Sequence, residues 1–316
     1  MHFHELDTPQ LCVDVEVLDA NISQLQVACD ELQIGLRVHT KSHKTPAIAQ
    51  RQMAAGAAGI VVTAARSPDQ VEAVASEIED IAGAGTALPL VADVTDRRAC
   101  ETVAAQAAEK FGSIHILVNN AGKGQNFIGN DRIPFWEADP EGWAEVVDTN
   151  VNGPFFMARA VIDHMRRQDW GRIINITKSR DSMHRPKNSP YGPTKAALEA
   201  MTLAWAQDLL ETGVTVNSLA PGGAVDTAFV LPAVRATAAE TGKKYFPADV
   251  IVPAAIWLAS EQSDGTTGCR YVGSRWNNSV TPDAAAEGAR EPAIFLPPKR
   301  DSILRKPWQP PKVSSN

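Results

Sequence analysis

No stretch of the 316-residue chain is apolar for long enough to cross a membrane, and its start, MHFHELDTPQ, lacks the basic and apolar runs of a secretory leader. A cytoplasmic protein without membrane contact is therefore expected. Cysteine is scarce: Cys12, Cys29, Cys100 and Cys269 stand apart, without Cys-x-x-Cys or Cys/His spacing, which argues against a disulfide framework and a metal site. The Asn-x-Ser/Thr triplets at Asn21 and Asn175 consequently have no secretory setting. Basic charge is not in excess either; a formal net charge of −7 argues against a general nucleic-acid binder. Glycine, finally, is absent between Gly35 and Gly56.

What is present suits an enzyme-sized globule: 44% hydrophobic and 21% charged residues, enough for one large or two ordinary domains. Apolar runs alternate with helical periodicity from about Leu11 to Leu219. The predicted strands are LCVDV, IGLRVH, GIVVTAA, ALPLVAD, HILVNNAG, GRIINIT and VTVNSLAP. Between them, Ser67 to Ile81, Arg97 to Lys110, Trp143 to Arg166 and Pro193 to Glu211 carry apolar residues at helical spacing. Repeated βα units of this kind predict an α/β fold, a Rossmann-like doubly wound, mostly parallel sheet with right-handed crossovers. From residue 277 to 316 the character changes. Pro282, Pro292, Pro297, Pro298, Pro307, Pro310 and Pro311 predict an extended Pro-rich tail.

The strongest chemical signal is SPYGPTKAALEAM, where Tyr191 and Lys195 stand four residues apart at the start of a predicted helix and share one face. A phenol has a reference pKa of about 10, so acid–base work near neutral pH needs a neighbouring cation that favours the phenolate. Lys195 supplies one. Alone the pair is weak evidence, equally produced by ordinary helix-surface pairing.

Its setting is more specific. Upstream stand HILVNNAGKG, DTNVNGPFFMARA and GRIINITKS; downstream comes GVTVNSLAPGGAVDT. In this order and spacing the set resembles the short-chain dehydrogenase/reductase family over roughly Gly59 to Val272. The resemblance implies an NAD(P)-dependent oxidoreductase that interconverts an alcohol and a ketone or aldehyde by hydride transfer. It makes Tyr191 the general acid/base, gives Lys195 the nicotinamide ribose and the phenol pKa, and has Asn150 hold a water of the proton relay. Asp93 takes the place of the acidic residue beside adenine, Asn119 and Gly122 line the cofactor trough, Pro221 and Gly222 form the turn beside nicotinamide, and Thr227 bonds its carboxamide. Arg66 sits where members preferring NADP place a basic residue for the 2′-phosphate, so NADP is expected ahead of NAD. Homodimers or homotetramers and a small alcohol or carbonyl substrate are implied as well. An ordinary helix-cap Asp93, helix-interior Asn150 or surface Arg66 is the plainer alternative for each.

Two places depart from the family. The substrate-orienting serine, thirteen residues before the tyrosine, is here Lys178; Ser179, with a one-residue loop shortening, is the expected catalytic serine, and Thr177 and Ser182 are poorer substitutes. His184 in the same loop is read as exposed. The family's glycine-rich turn, TGxxxGxG, is also missing ahead of GIVVTAA, where glycines would let backbone approach the pyrophosphate.

In place of that turn, TPQLCVDVEVLDANISQLQVACDELQIGLRVHTKSHKTPAIAQRQMAAGAAGI resembles the opening of the alanine-racemase-like barrel of D-threonine aldolases and D-serine dehydratases. Lys41, in Arg-Val-His-Thr-Lys-Ser-His-Lys, matches the lysine that binds pyridoxal phosphate (PLP) there. A full barrel needs ~250 residues, far more than this segment, which argues against PLP chemistry. The expected organisation is thus 1–58, a barrel-like segment supplying an atypical first βαβ unit through IGLRVHT; 59–276, the dehydrogenase body; and 277–316, the tail. Two alternatives to an active oxidoreductase follow: an impaired Rossmann-fold protein without its cofactor loop, and PLP binding through Lys41.

Overall fold

The structure, a computed structural model, describes residues 59–129, 133–227, 230 and 245–292. The first two predicted strands, IGLRVHT with its loop, and Lys41 lie outside these residues. Seven strands are described: β1 (Ile60–Ala64), β2 (Ala87–Val91), β3 (Ile116–Asn119), β4 (Gly171–Ile176), β5 (Val214–Ala220), β6 (Arg270–Val272) and β7 (Arg290–Glu291). β1 and β2 pair in parallel; β3, β4, β5 and β6 form a second parallel run that β7 closes in antiparallel sense.

Side-chain alternation joins these two parts into one layer. Ile60 and Val62 of β1 share a core with Ile116 and Val118 of β3 and Ile174 and Ile176 of β4. The intervening residues, Val61, Leu117 and Ile173, face a second core on the other side. Helices cover both faces, which is why the strands read as nearly unbroken apolar runs. On the first face lie α1 (Pro68–Ala82), α7 (Val252–Ala259) and α8 (Pro282–Ala289); on the second lie α2 (Arg97–Phe111), α4 (Gly153–Arg167) and α6 (Tyr191–Asp208). α1 illustrates how the sequence makes such a face: Pro68 opens it, and Val71, Ala75 and Ile78 recur at helical spacing and are buried. α2 starts where Asp96 accepts hydrogen bonds from the amides of Arg98 (2.8 Å) and Ala99 (3.4 Å).

The segment predicted as one helix, Trp143 to Arg166, is two helices in line. α3 (Pro140–Val147) passes through a π-helical turn, Asp148–Asn152, into α4. Pro154 follows directly and has no amide hydrogen to give to the carbonyl four residues back, so the wider register loses no donor there. The turn places Asn150 fully inside.

The expected tail is corrected in its first part. Residues 277–292 are not extended: Pro282 sits in the first helical turn of α8, where its missing amide costs nothing, and Ala285, Ala286 and Ala289 are buried against the first core. Asp283 accepts from the Trp257 indole at 2.8 Å. The chain then adds β7 to the sheet edge. The remaining prolines beyond Pro292 lie outside the described residues.

Candidate active site

Parallel strands all present their carboxyl ends to one edge, and the loops leaving that edge carry many of the candidate residues: Arg66 after β1, Asp93 after β2, Gly122 after β3, Ser179 after β4, Pro221 and Gly222 after β5. Open α/β sheets bind ligands at this edge.

At its centre, Gly122, Asn150, Tyr191 and Lys195 come together. Lys195, 4% exposed on the first turn of α6, gives a hydrogen bond of 2.8 Å to the carbonyl of Ile176 at the end of β4. The loop after β3 passes against it: a Cβ on Gly122 would stand 3.6 Å from Lys195 Nζ and 3.3 Å from Asn150 Oδ1. Asn150 holds that loop from below. Its Oδ1 accepts from the Lys123 amide and its Nδ2 donates to the Lys123 carbonyl, both at 2.9 Å, with a further 3.0 Å bond from Nδ2 to Thr194 Oγ1. Thr194 gives its own proton to the Tyr191 carbonyl at 2.9 Å. The amide of Asn150 is thus one hydroxyl away from the backbone of the tyrosine.

Tyr191 is half-buried as the first residue of α6, and burial pushes its phenol up to about 12. The Lys178 ammonium lies 4.3 Å from the centre of its ring. Ser179 follows Lys178 directly and is half-buried. Its Oγ is 3.0 Å from Ser182 Oγ, and Ser182 in turn donates to the Ser179 carbonyl at 2.7 Å, inside the one-turn helix α5 (Arg180–Met183). The turn that starts α5 holds Ser179 in a local hydroxyl pair. Thr177 is bonded to Arg270 Nη1 at 3.2 Å, and His184 is exposed as expected.

Around the centre, the other candidates divide. Asp93 is half-buried, which works to raise its pKa, but the Thr95 amide (2.9 Å) and hydroxyl (2.8 Å) on its Oδ1, with the charges of Lys123 and Arg66, outweigh that and hold it below the usual carboxylate range. Arg66 is exposed and reaches Asp93 only through space. Asn119 turns its side chain into the fold, donating to Asn175 Oδ1 at 2.9 Å, and Asn175 passes the chain on to Thr202 on α6 at 2.8 Å. Its contribution to the edge is through backbone. Gly222 has φ of +97°, a left-handed conformation, and a Cβ there would fall 2.0 Å from Ser274 Oγ; the turn needs glycine on both counts. Thr227 is half-buried and its carbonyl accepts from the Val230 amide at 3.1 Å; most of residues 228–246 lie outside the described residues.

The family described as short chain dehydrogenase matches residues 46–237 of this sequence. The chain belongs to the short-chain dehydrogenase family. That membership places it among oxidoreductases. A D-beta-hydroxybutyrate dehydrogenase from Rhizobium meliloti (strain 1021) is 33% identical over 172 residues, 54% of this chain and 64% of that protein, so the chain spans just under two thirds of that relative's length. Among solved structures, a gluconate 5-dehydrogenase from Burkholderia cenocepacia J2315 in complex with NADP and tartrate superposes with a TM-score of 0.62 at 28% identity, covering 76% of this chain and 94% of that one. A dehydrogenase/reductase from Sinorhizobium meliloti 1021 gives 0.63 at 27% identity, covering 79% and 96%. The short-chain dehydrogenase match begins at Pro46, inside the segment expected to be barrel-like. Lys41 precedes it.

The arrangement fits a nicotinamide dinucleotide. Gly122 leaves clear the space a Cβ would fill beside Lys195 Nζ, and a carboxylate held ionised stands at the end of β2. Three residues of this short-chain dehydrogenase site were not foreseen: Thr194, Arg270 and Glu199. Arg270 is 1% exposed and Glu199 3%; they form a buried ion pair, while Arg270 Nη2 donates to the Lys178 carbonyl at 2.9 Å and Nε to Glu291 at 2.9 Å. The signal available was an arginine inside the apolar run CRYVG and a glutamate on the inward face of the Tyr191 helix.

Proposed function

We propose that this chain is an NADP- or NAD-dependent oxidoreductase that interconverts an alcohol and a ketone or aldehyde, with Tyr191 exchanging the proton. The observation that carries this reading is the close approach of Gly122 to Asn150 and Lys195 at the carboxyl edge of the sheet, with Asn150 linked through the Thr194 hydroxyl to the Tyr191 carbonyl by hydrogen bonds of 3.0 and 2.9 Å. The cofactor supplies or accepts the hydride when bound. Tyr191 gives its phenolic proton to the carbonyl oxygen in reduction and takes it back in oxidation. The burial that raises its pKa works against that role, so cations at the site are required to bring the phenolate within range.

Lys195 carries one such charge and is the residue to meet the nicotinamide ribose. Asn150 fixes the loop under the cofactor and stands next in line for the proton relay. Asp93 serves the adenine side, Asn119 and Gly122 the trough, and Pro221, Gly222 and Thr227 the nicotinamide side, roles supported by the family resemblance. Exposed Arg66, beside Asp93, favours NADP through its 2′-phosphate. The substrate is a small molecule. The chain acts in the cytoplasm as a homodimer or homotetramer, a reading supported by the family resemblance and by Phe155, 47% exposed on α4.

The relatives favour this reading over an impaired Rossmann protein or PLP binding through Lys41. Calorimetric titration with NADPH and NADH, followed by NADPH-consumption assays on carbonyl compounds, tests it. Wild-type protein should bind and turn over, and Tyr191→Phe should bind cofactor with turnover lost. Absence of binding at millimolar cofactor, or full activity in Tyr191→Phe, would refute it.

A further inference from the structure

The position of the family's substrate-orienting hydroxyl, thirteen residues before the tyrosine, carries no hydroxyl in this chain. The neighbouring hydroxyls have partners of their own: Thr177 with Arg270 at 3.2 Å, Ser179 and Ser182 with one another at 3.0 Å. The residue that occupies the register is Lys178, and its side chain reaches Tyr191, the ammonium 4.3 Å from the ring centre. Its root is fixed as firmly as its tip is placed. The Lys178 carbonyl accepts from Arg270 Nη2 at 2.9 Å, and Arg270 is itself pinned by the carboxylates of Glu199 and Glu291 in the interior.

We propose that Lys178 is a catalytic residue, its ammonium donating the hydrogen bond to the reacting oxygen of the substrate that a serine hydroxyl would otherwise give. This rests on the oxidoreductase reading above. In reduction, hydride from the reduced nicotinamide forms the new C–H bond, the π pair of the C=O moves to oxygen, and the Tyr191 proton completes the hydroxyl. Negative charge grows on that oxygen during the step. A charged donor aimed at it stabilises the transition state more than a neutral hydroxyl does, because charge-assisted hydrogen bonds are roughly twice as strong. Lys178 keeps its proton throughout. The same ammonium over the ring also favours the electron-rich phenolate over the phenol, so one side chain assists both partners of the proton transfer.

The test compares Lys178→Met, similar in length without a donor, with Lys178→Ser, which restores the hydroxyl, each assayed with NADPH on acetoacetate, methyl acetoacetate and cyclohexanone. Cofactor affinity by calorimetry checks that each variant retains its site. Lys178→Met should lose about 10²- to 10³-fold in kcat with little change in KM, the size expected for one oxyanion donor. Lys178→Ser should recover at least tenfold of that loss. A Lys178→Met enzyme within threefold of wild type, or a Lys178→Ser enzyme no better than Lys178→Met while both bind NADPH normally, overturns the inference. In that case activity that still disappears in Tyr191→Phe leaves the oxidoreductase reading standing. No reduction of any of the three probes by the wild type overturns both.

Discussion

Asn150 and Lys123 clasp each other through two hydrogen bonds of equal length, 2.9 Å, amide to carbonyl in one direction and carbonyl to amide in the other. A primary amide is the one side chain of that size that offers both a donor and an acceptor to a backbone peptide group. The clasp joins the π-helical turn to the loop after β3, and so sets how close Gly122 lies to Lys195.

Replacing Asn150 therefore has a specific expected signature. Asn150→Ala leaves a peptide group without its partner in a site that is 0% exposed at residue 150, a cost of about 1–3 kcal/mol for each group left unmade. Asn150→Asp keeps the acceptor for the Lys123 amide but opposes its carbonyl with a second oxygen. It should rescue neither stability nor kcat/KM relative to Asn150→Ala. Thermal unfolding and steady-state kinetics read both, and an Asp variant close to wild type would contradict the clasp.

Gly122 and Gly222 separate two uses of glycine. At Gly122 an added methyl meets Asn150 Oδ1 at 3.3 Å and Lys195 Nζ at 3.6 Å, tight but tolerable contacts, so Gly122→Ala should fold with nearly unchanged thermal stability and lose cofactor affinity. At Gly222 the left-handed φ and the 2.0 Å approach to Ser274 Oγ make Gly222→Ala a stability variant, costing about 1–3 kcal/mol. Denaturant titration beside NADPH calorimetry distinguishes them; the opposite pattern would refute the assignment.

The core strands from GIVVTAA to VTVNSLAP and the Tyr191 helix were legible because period-2 and period-3.6 patterns are local properties of the chain. The approach of Gly122 to Asn150 and Lys195 joins motifs that lie far apart in the sequence. Strand β6 was not legible: it has three residues, one of them the buried Arg270, and it exists by pairing with β5 across some fifty positions. Pro282 misled in the other direction, because proline at a helix start is permissive where proline inside a helix is not. The pairing of the Ser179 and Ser182 hydroxyls depended on a turn that spacing alone does not encode.

The carboxylate of Asp93 predicts a pH dependence with a definite sign. Its folded pKa lies below the ordinary value of about 3.9, so its contribution to stability is fully present above that value and is lost as pH falls through the lower folded pKa. Asp93→Asn should therefore be less stable than wild type at pH 6 to 7, the gap closing as pH falls through the lowered folded pKa. Urea titrations at a series of pH values measure this; a gap that widens with acid would reverse the assignment.

The buried pair of Arg270 and Glu199 carries the most severe expected stability effect. Removing one partner leaves a charge in the interior, and breaking such pairs costs about 3–5 kcal/mol. In Arg270→Met the carboxyl of Glu199, already raised by burial against the pull of Arg270, loses that pull and moves further up. A carboxyl with a raised folded pKa favours the fold below its unfolded pKa, about 4.3, and loses that contribution as pH rises through the folded value. The destabilisation of Arg270→Met should accordingly be larger at pH 7.5 than at pH 5, and Glu199→Gln in the same background should abolish the difference. The single variant Glu199→Gln, which retains a hydrogen-bonding oxygen for Arg270 while Glu291 keeps its charge company at 2.9 Å, should lose less. Thermal unfolding of the three variants at both pH values decides it, and a pH-independent loss in Arg270→Met would mean that Glu199 is not the group left stranded.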